Sequence, residues 1–245
     1  MQEIVVKFNE QELKLTIRDE ADQSVMREIF KLREYKSAEE IIKSSADPIL
    51  DIGAHVGFFS LYCRILNPEV LIYAVEPLKE NLIILNKHLK VNKIEGVKVV
   101  ESAMAYNTEK RKLVVTEDNH NNFLGEEGDR EVQAYGFRDF CLKNKITRVS
   151  LLKIDIEGGE YEILDSLEAG DFAKIFTMIL EYHDGERNHK ELEEKLRENG
   201  FGVQVFPSRF DKKMGYIFAM NKRLDRDPES LPRRAGKFRM TVNLE

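Results

Sequence analysis

Acidic side chains close several apolar runs in the middle of the sequence. Asp51 lies at the end of PILDI and Glu76 ends VLIYAVE. Asp155 and Glu157 follow SLLKI in the same way. A buried carboxylate destabilises a fold unless a partner or a ligand compensates it. Because α/β proteins bind ligands at the carboxyl ends of parallel strands, these four side chains are candidates for a functional site.

The turn after the first of these runs is rich in glycine and reads DIGAHVG over residues 51–57. Such a turn between a strand and a helix presents backbone N–H groups to a ligand. Dinucleotide-binding proteins have a third glycine here and bind a pyrophosphate, but this turn lacks that glycine and carries a carboxylate. A carboxylate repels anions, so the turn favours a small cationic ligand. S-adenosylmethionine, with an ammonium and a sulfonium, fits that description.

Glu76 supplies a second sign of a nucleoside cofactor. An acidic side chain at the end of the second strand of such a fold can accept hydrogen bonds from ribose hydroxyls. Asp51 and Glu76 occur in the order and at the distance along the chain that this arrangement requires. Together they predict a cofactor site across the first two strands.

The elements that must position these residues alternate between strand and helix after Pro48. Seven strand-like runs follow, from PILDI to YIFAM, and most are separated by helical stretches. Apolar strands separated by helices predict an α/β fold, a mostly parallel sheet with helices on both faces. Only the short stretch PSRFDKKMG separates the last two strand-like runs, so the last strand is expected to be antiparallel.

The chain divides into three predicted parts. Residues 1–46 form a small N-terminal module, a hairpin followed by helices, which is either a packing cap or a lid on the site. Residues 47–222 form the main domain, and residues 223–245 a charged tail that ends in Leu244-Glu245. Within the main domain, the polar stretch 106–132 is predicted as a mobile or substrate-facing insertion. It includes His120, which is a candidate substrate contact.

Composition narrows the classes of partner. The net charge is −6, which argues against a protein that binds mainly by neutralising nucleic-acid phosphates. No run approaches the roughly 18 apolar residues of a membrane span, and the N-terminus lacks a signal-peptide pattern. A cytoplasmic protein without a membrane partner is therefore expected. The two cysteines fit no metal spacing, and composition says nothing of the oligomeric state.

Four sequence blocks resemble the FkbM-type family of class I S-adenosylmethionine-dependent methyltransferases. They read ILDIGAHVGFFSLY, IYAVEPLKENLIILNKHLKVN, VVESAMAYN and VSLLKIDIEGGEYEIL. The resemblance covers about Ile49 to Asp184, and LLKIDIEGGE is its most discriminating part. It implies a Rossmann-like, seven-stranded sheet with the cofactor over the carboxyl ends of the first strands. It also implies O-methylation of a hydroxyl on a small molecule or glycan.

The resemblance also implies individual cofactor contacts. Glu76 would bind the ribose, and Ser102 and Ala103 would flank the adenine. His55 stands where the family more often has Asn, and its ring still donates hydrogen bonds. The methionine and sulfonium end would be lined by Asp51, Gly53, Ala54 and Gly57.

The catalytic candidates are Asp155, Glu157 and His183. If the fourth strand stays extended that far, a period of two places Lys153, Asp155 and Glu157 on one of its faces, where a carboxylate can take a proton from a hydroxyl acceptor. His183 lies in LEYHDG at the end of the neighbouring strand. By contrast, Glu160 is predicted to be an acid that only favours the first turn of a helix.

A divalent metal is an open alternative at the same place. Asp155, Glu181 and His183, with Glu157 beside them, could form an oxygen-rich site with one imidazole, which suits magnesium or manganese. A metal there would acidify the acceptor hydroxyl. Removal of metal by a chelator distinguishes this hypothesis from direct proton transfer to a carboxylate.

Three other functions share parts of the pattern. A methyltransferase of RNA or another nucleic acid would have the same cofactor motifs, but DIEGGE is not the Asn-Pro-Pro-aromatic type of motif that base-nitrogen enzymes have after the fourth strand. A nicotinamide oxidoreductase would need the third glycine, and its pyrophosphate would be repelled by the carboxylate of Asp51. A catalytically inactive scaffold would not need Asp155 and Glu157.

Overall fold

The chain begins with an antiparallel hairpin, as the alternating pattern predicts. A computed structural model describes residues 1–116, 123–125, 127–128, 130–208 and 211–224. Strands β1 (Gln2–Phe8) and β2 (Gln11–Ile17) pair along their whole length. Asn9 and Glu10 form the turn with φ angles of 46° and 64°, the combination that two-residue hairpin turns require.

Short helices complete the N-terminal module. Helix α1 spans Glu20–Arg27, and its first turn is capped by Asp19, whose side chain accepts a hydrogen bond from the backbone of Asp22. A π-helical turn over Glu28–Leu32 and a 3₁₀ turn over Glu34–Ala38 lead into α2 (Glu39–Ser44). The module therefore turns several times within a few residues, which directs several of its side chains towards the main domain.

Strands and helices alternate through most of the main domain. The helices are α3 (Phe58–Leu66), α4 (Lys79–Val91), α5 (Phe137–Asn144), α6 (Glu160–Ser166), α7 (Ala169–Phe172) and α8 (His189–Glu198). The strands are β3 (Ile49–Ile52), β4 (Ile72–Glu76), β5 (Val97–Glu101), β6 (Ala103–Met104), β7 (Glu109–Val114), β8 (Phe123–Leu124), β9 (Arg130–Tyr135), β10 (Val149–Ile154), β11 (Ile175–His183), β12 (Phe201–Pro207) and β13 (Met214–Asn221).

A seven-stranded sheet forms the centre of the domain. Its strand order is β12-β13-β11-β10-β3-β4-β5. The neighbours from β11 to β5 pair in parallel, whereas β13 is antiparallel to both β11 and β12. This architecture confirms the predicted Rossmann-like, seven-stranded, mostly parallel sheet with an antiparallel last strand.

Alternate residues of the central strands enter two separate cores. Leu151 belongs to the core that includes α3 and the N-terminal module, and Leu152 belongs to the core that includes α5, α6 and α8. Since successive side chains of a strand point to opposite faces, this division places helices on both faces of the sheet. Strands β3, β4 and β10 are buried along their whole length, which explains their almost entirely apolar sequences.

The N-terminal module shares one of these cores with the main domain. Phe8 stacks on Tyr62 of α3 at a ring-centroid distance of 4.8 Å, and Phe30 contacts the same ring edge-on at 6.1 Å. The predicted residues 1–46 therefore pack on the sheet through continuous apolar contacts. The domain limits at residues 46 and 222 stay a prediction.

A second, smaller sheet lies where the sequence predicts a mobile or substrate-facing insertion. Its order is β6-β9-β7-β8, so much of the described part of this stretch is regular strand. The sequence missed these strands because they are short and carry mostly polar, partly exposed residues. His120, residues 225–245 of the tail and with them Leu244-Glu245 lie outside the described residues. In the described ranges no helix has the length and apolar character to cross a membrane.

Candidate active site

A cavity of ≈ 480 Å³ opens at the carboxyl ends of the central strands. Its wall includes nine of the residues that the sequence indicates: Gly53, Ala54, His55, Glu76, Ser102, Ala103, Asp155, Glu157 and Glu181. Three others lie behind the wall: Asp51, Gly57 and His183. The sequence prediction and the cavity thus agree on the place of the site and differ on which side chains face it.

The glycines of the 51–57 turn are required by close packing. Gly53 has a φ of 75°, and a Cβ there would lie 1.9 Å from the carbonyl oxygen of Asp155. Gly57, with a φ of 85°, precedes α3, and a Cβ there would lie 2.8 Å from Leu85. Both positions combine a left-handed backbone with lack of space, so a larger residue would displace the turn. Gly53 lines the cavity, whereas Gly57 fixes the entry into α3.

Asp51 faces a cation that the chain itself provides. Its side chain is completely buried, accepts a hydrogen bond from Ser60 at 2.6 Å, and has Lys153 Nζ 3.5 Å from its Oδ1. Burial raises the pKa of Asp51, and Lys153 and Ser60 oppose that shift. The attraction for a cation inferred from Asp51 is therefore met at least in part by Lys153. Asp51 acts on the cavity through this lysine.

Lys153 joins the two sides of the cavity. Its Nζ donates to the carbonyl oxygen of Gly53 at 3.0 Å and lies 3.0 Å from Oδ2 of Asp155. Burial by itself lowers the pKa of Lys153, but Asp155 and Asp51 raise it above its ordinary value. The side chain is therefore an ammonium, only 4% exposed, between two carboxylates.

Glu76 is held in place by three N–H donors. Oε2 accepts from the backbone of His55 at 2.9 Å, and Oε1 accepts from the backbone of Leu78 at 2.9 Å and from Asn81 Nδ2 at 3.0 Å. Burial raises the pKa of Glu76, and these donors oppose the shift because they favour the carboxylate. A carboxylate has about four acceptor positions, so Oε2 keeps one for a ligand hydroxyl.

Ser102 carries a polar atom that the described chain does not satisfy. The residue is 1% exposed and lines the cavity, yet its Oγ has no hydrogen-bond partner among the described residues. Unsatisfied buried hydroxyls are rare, because each one destabilises the fold. A hydroxyl that faces the same cavity as Glu76 fits a ligand with polar atoms beyond its ribose. The donor set at this end therefore suits a nucleoside cofactor.

Asp155 and Glu181 share a proton. Burial by itself would raise the pKa of Asp155, but Lys153 and a hydrogen bond from Glu181 hold it below its ordinary value. Burial and the charge of Asp155 raise the pKa of Glu181 well above its ordinary value. Glu181 is therefore the protonated partner and donates to Asp155. Two carboxyl groups this close do not both ionise.

Glu157 faces the cavity with His183 and Glu160 behind it. His183 Nε2 lies 3.3 Å from Glu157 Oε2, and His183 Nδ1 lies 3.4 Å from Glu160 Oε1. Burial raises the pKa of Glu157 to about 7, and the adjacent carboxylates add to that shift against the effect of His183. Burial lowers the pKa of His183, but Glu160 and Glu157 raise it above its ordinary value. Glu157 also has a φ of 54°, a strained backbone that proteins often tolerate at functional sites.

Glu160 has a larger part in this site than a first-turn acid. It is completely buried at the start of α6, and its Oε1 accepts from the backbone of Ile156 at 3.2 Å. The sequence signal was its spacing from Glu157, but a helix start explains an acid equally well. Only the position of His183, brought from β11, distinguishes the two interpretations.

The predicted metal site is not assembled. In the described ranges no group of three or more His, Cys, Asp or Glu side chains has the geometry to hold a metal ion. The ammonium of Lys153 contacts Asp155, and His183 is turned towards Glu157 and Glu160. The donor set of Asp155, Glu181 and His183 is thus engaged within the chain.

The sequence offered a lid as one role for the N-terminal module, but it did not indicate which of its residues, or which residue of β13, would line the cavity. Tyr35, from the 3₁₀ turn, and Tyr216, from β13, line the cavity with ring centroids 5.6 Å apart. Val25 and Ile29 of the module also line it. No pattern in the sequence relates these residues, because they are far apart along the chain. The module is therefore part of the wall, as a lid would be.

Two solved structures show the same fold. The methyltransferase FkbM from Methylobacillus flagellatus KT has a TM-score of 0.50 at 13% identity, over 83% of this chain and 55% of that protein. The 16S rRNA N2 G1207 methyltransferase of T. Thermophilus also has a TM-score of 0.50, at 12% identity, over 90% of this chain and 50% of that protein. The chain therefore has the Rossmann-like α/β fold of these two proteins.

The particular family follows from the sequence comparison. Residues 51–203 match the model of the methyltransferase FkbM domain, and the chain belongs to this family. The 31-O-demethyl-FK506 methyltransferase FkbM of Streptomyces tacrolimicus is 24% identical, over 64% of this chain and 73% of that protein. Methyltransferase 1 of Beauveria bassiana is 22% identical over the same shares. The resemblance inferred from the sequence is confirmed, and the protein is an S-adenosylmethionine-dependent methyltransferase.

Proposed function

We propose that the protein transfers a methyl group from S-adenosylmethionine to a hydroxyl oxygen of a small molecule or glycan. The observation that carries this proposal is Glu157, a carboxyl with a pKa of about 7 that lines the same cavity as Glu76. A base poised near neutral pH suits removal of a proton from a hydroxyl. The small-molecule acceptor named in the description of the Streptomyces tacrolimicus relative supports the same class of acceptor.

The residues at the Glu76 end would hold the cofactor. Glu76 would accept from a ribose hydroxyl, and Ser102 and Ala103 would contact the adenine. His55, Gly53 and Ala54 would line the path to the methionine end, and Asp51 would act through Lys153. Bound S-adenosylmethionine supplies an electrophilic methyl group on a sulfonium. The chain supplies alignment of the acceptor with that group.

The residues at the other end would handle the acceptor proton. Glu157 would accept the proton of the hydroxyl and become a neutral carboxylic acid, and His183, 3.3 Å from its Oε2, would orient the carboxylate before that step. His183 does not touch the cavity, so it would be a positioning residue that acts through Glu157. Asp155, held ionised by Lys153, is a weaker base and would orient the hydroxyl as a hydrogen-bond acceptor.

The charge of the wall favours an acceptor without phosphate groups. Carboxyl side chains face the cavity from several elements: Glu28, Glu76, Asp155, Glu157, Glu162 and Glu181. Among the described residues that line it, the ammonium of Lys153 is already paired with Asp155. An anionic acceptor would therefore meet repulsion, which disfavours the alternative of an RNA methyltransferase. A neutral or cationic acceptor meets none.

Two measurements test the proposal. Thermal shift with S-adenosylmethionine, S-adenosylhomocysteine and NAD should show stabilisation by the first two only, about 2.7 kcal/mol at 100 times the dissociation constant. Transfer of a labelled methyl group should then be followed with hydroxylated small molecules, oligosaccharides, their phosphorylated counterparts and RNA. Transfer to neutral hydroxyl compounds supports the proposal. Transfer to RNA alone, or stabilisation by NAD alone, contradicts it.

A further inference from the structure

Arg18 lies outside the family match and outside the cavity wall, yet it is bonded to the cofactor end of the site. It follows β2 in the N-terminal module, and its side chain is 11% exposed. Nε and Nη2 donate to the two carboxylate oxygens of Asp22 at 2.9 and 2.8 Å. Asp22 is completely buried, and this two-point contact fixes the plane of the guanidinium.

The remaining donors of Arg18 reach two residues of the main domain. Nη1 donates to Oδ1 of Asn81 at 2.7 Å, and Nη2 lies 2.8 Å from Nε2 of His55. A guanidinium only donates, so Nε2 of His55 is the acceptor in this contact, and the same Nε2 lies 3.4 Å from Oδ1 of Asp22. One side chain of the module thus fixes both the amide of Asn81 and the ring of His55.

The same two residues hold Glu76. Asn81 uses its Oδ1 for Arg18 and its Nδ2 for Oε1 of Glu76, so Arg18 determines which way the amide faces. His55 donates its backbone N–H to Oε2 of Glu76, and its φ of 50° shows that its backbone depends on surrounding contacts. Two routes therefore connect Arg18 to opposite oxygens of one carboxylate.

We propose that Arg18 is a positioning residue for the cofactor, which aligns Glu76 with the ribose through Asn81 and His55. The N-terminal module is then a part of the cofactor site. This inference rests on the proposed function, because it takes the ligand of Glu76 to be the ribose of S-adenosylmethionine. It adds a residue before the family match, which begins at residue 51.

Arg33 provides a matched control within the same module. It pairs with Glu39, which also accepts a hydrogen bond from Tyr62 at 2.7 Å, and it does not line the cavity. Loss of Arg33 should loosen the packing of the module without touching Asn81 or His55. A role of Arg18 that is only structural would make the two arginines equivalent in their effect on ligand binding.

The test compares two ligands by isothermal titration calorimetry: S-adenosylhomocysteine and its analogue without the two ribose hydroxyls. Arg18→Gln should weaken binding of S-adenosylhomocysteine by about tenfold or more, because a charge-assisted hydrogen-bond network is lost. Binding of the analogue without ribose hydroxyls should weaken by less than about twofold. Arg18→Lys, which keeps the charge beside Asp22 but not the planar fork, should show the same selective loss. Arg33→Gln should weaken both ligands equally or neither.

Each result decides the inference. Equal loss of both ligands in Arg18→Gln, or a loss no larger than that of Arg33→Gln, overturns it. If Arg18→Gln does not fold, Arg18→Lys decides by the same comparison, and the double variant Arg18→Gln, Asp22→Asn removes the carboxylate that would be left unpaired. If the wild type binds S-adenosylhomocysteine but the variants show no selectivity between the two ligands, the proposed role of Arg18 is refuted and the proposed function is not. Wild-type protein that does not bind it refutes the proposed function and this inference together.

Discussion

The two ends of the cavity use carboxyl groups in opposite ways. Glu76 accepts three N–H donors, which oppose the rise in its pKa that burial causes. Asp155, Glu157 and Glu181 instead crowd together with one ammonium and one imidazole, and their pKa values are driven apart. The first arrangement is rigid and suits recognition of a ligand that does not change. The second keeps a proton poised, which suits chemistry.

The difference also extends to backbone strain. Glu157 has a φ of 54°, whereas Glu76 lies in a regular β-strand. Pairs of groups whose surroundings push their pKa values apart identify the acid and base of many enzymes. The comparison therefore predicts that variants at the two ends separate binding from turnover. Five predictions test the comparison, from the largest expected effect to the smallest.

Glu157→Gln should abolish most turnover and leave cofactor binding intact. The amide keeps the shape of the side chain but cannot accept the acceptor proton. The rate constant should fall by about 10²–10⁴-fold, the usual contribution of a general base. Steady-state rates and calorimetry with S-adenosylhomocysteine measure the two properties on one sample. Glu193→Gln, on α8 and paired with Arg197, is the surface control. A parallel loss of cofactor affinity would contradict the division into two ends.

Lys153→Met should destabilise the fold, because Lys153 joins the two ends. The variant leaves the buried Asp51 and the partly exposed Asp155 without their cation, and an unpaired buried charge destabilises proteins by about 3–5 kcal/mol. Urea unfolding of wild type and variant measures the difference. Lys195→Met breaks a more exposed pair with Asp165 and should change stability by less than about 1 kcal/mol. Equal effects of the two substitutions would mean that Lys153 does not stabilise the fold by neutralising Asp51 and Asp155.

Glu76→Gln should weaken the cofactor and spare the chemical step. The NH₂ group of the new amide would face one of the N–H groups that now donate to Glu76, and two donors cannot bond to each other. The amide also offers fewer acceptor positions to the ribose. Binding of S-adenosylhomocysteine should weaken by about 10–100-fold, the range for a lost hydrogen bond to a charged group. The rate at saturating cofactor should stay within about twofold. If turnover falls while the affinity for S-adenosylhomocysteine is unchanged, Glu76 acts in the chemical step and the assignment of the two ends is wrong.

The sequence located both ends because their positions follow from topology. Glu76 and Asp155 lie at the carboxyl ends of parallel strands, and any chain with this order of strands brings such residues to one edge. The motif LLKIDIEGGE indicated the FkbM-type family, and the match of residues 51–203 to the family model confirms it. The alternation of apolar strands and helices after Pro48 predicted the mostly parallel sheet, which the strand order confirms.

The partners of these carboxyls were beyond the sequence pattern. Lys153 lies opposite Asp51 because β10 pairs with β3 in one particular register, which no local pattern specifies. Tyr216 lies opposite Glu181 for the same reason. Arg18 reaches His55 and Asn81 only after the module has packed on the sheet. Which way a strand-end carboxyl faces, and what neutralises it, therefore depends on contacts between distant parts of the chain.

The pH dependence of turnover distinguishes the two ends most finely. Burial raises the pKa of Glu157 from its ordinary 4.5 to about 7, with Asp155, Glu160 and His183 facing it. Only the ionised form accepts a proton, so kcat/KM should rise about tenfold between pH 6 and 8. Binding of S-adenosylhomocysteine should change little over the same range.

The folding free energy should respond in the opposite direction. A carboxyl whose pKa is raised by folding contributes stability that is complete below 4.5 and is lost as the pH rises through about 7. The stability of the wild type relative to Glu157→Gln should therefore decline from pH 5 to pH 8, while activity rises. Urea unfolding of both proteins at several pH values measures this difference, in which the titration of groups that do not contact Glu157 cancels. A difference that increases with pH, or a pH–rate profile unchanged in the residual activity of Glu157→Gln, would assign the titrating base to another group.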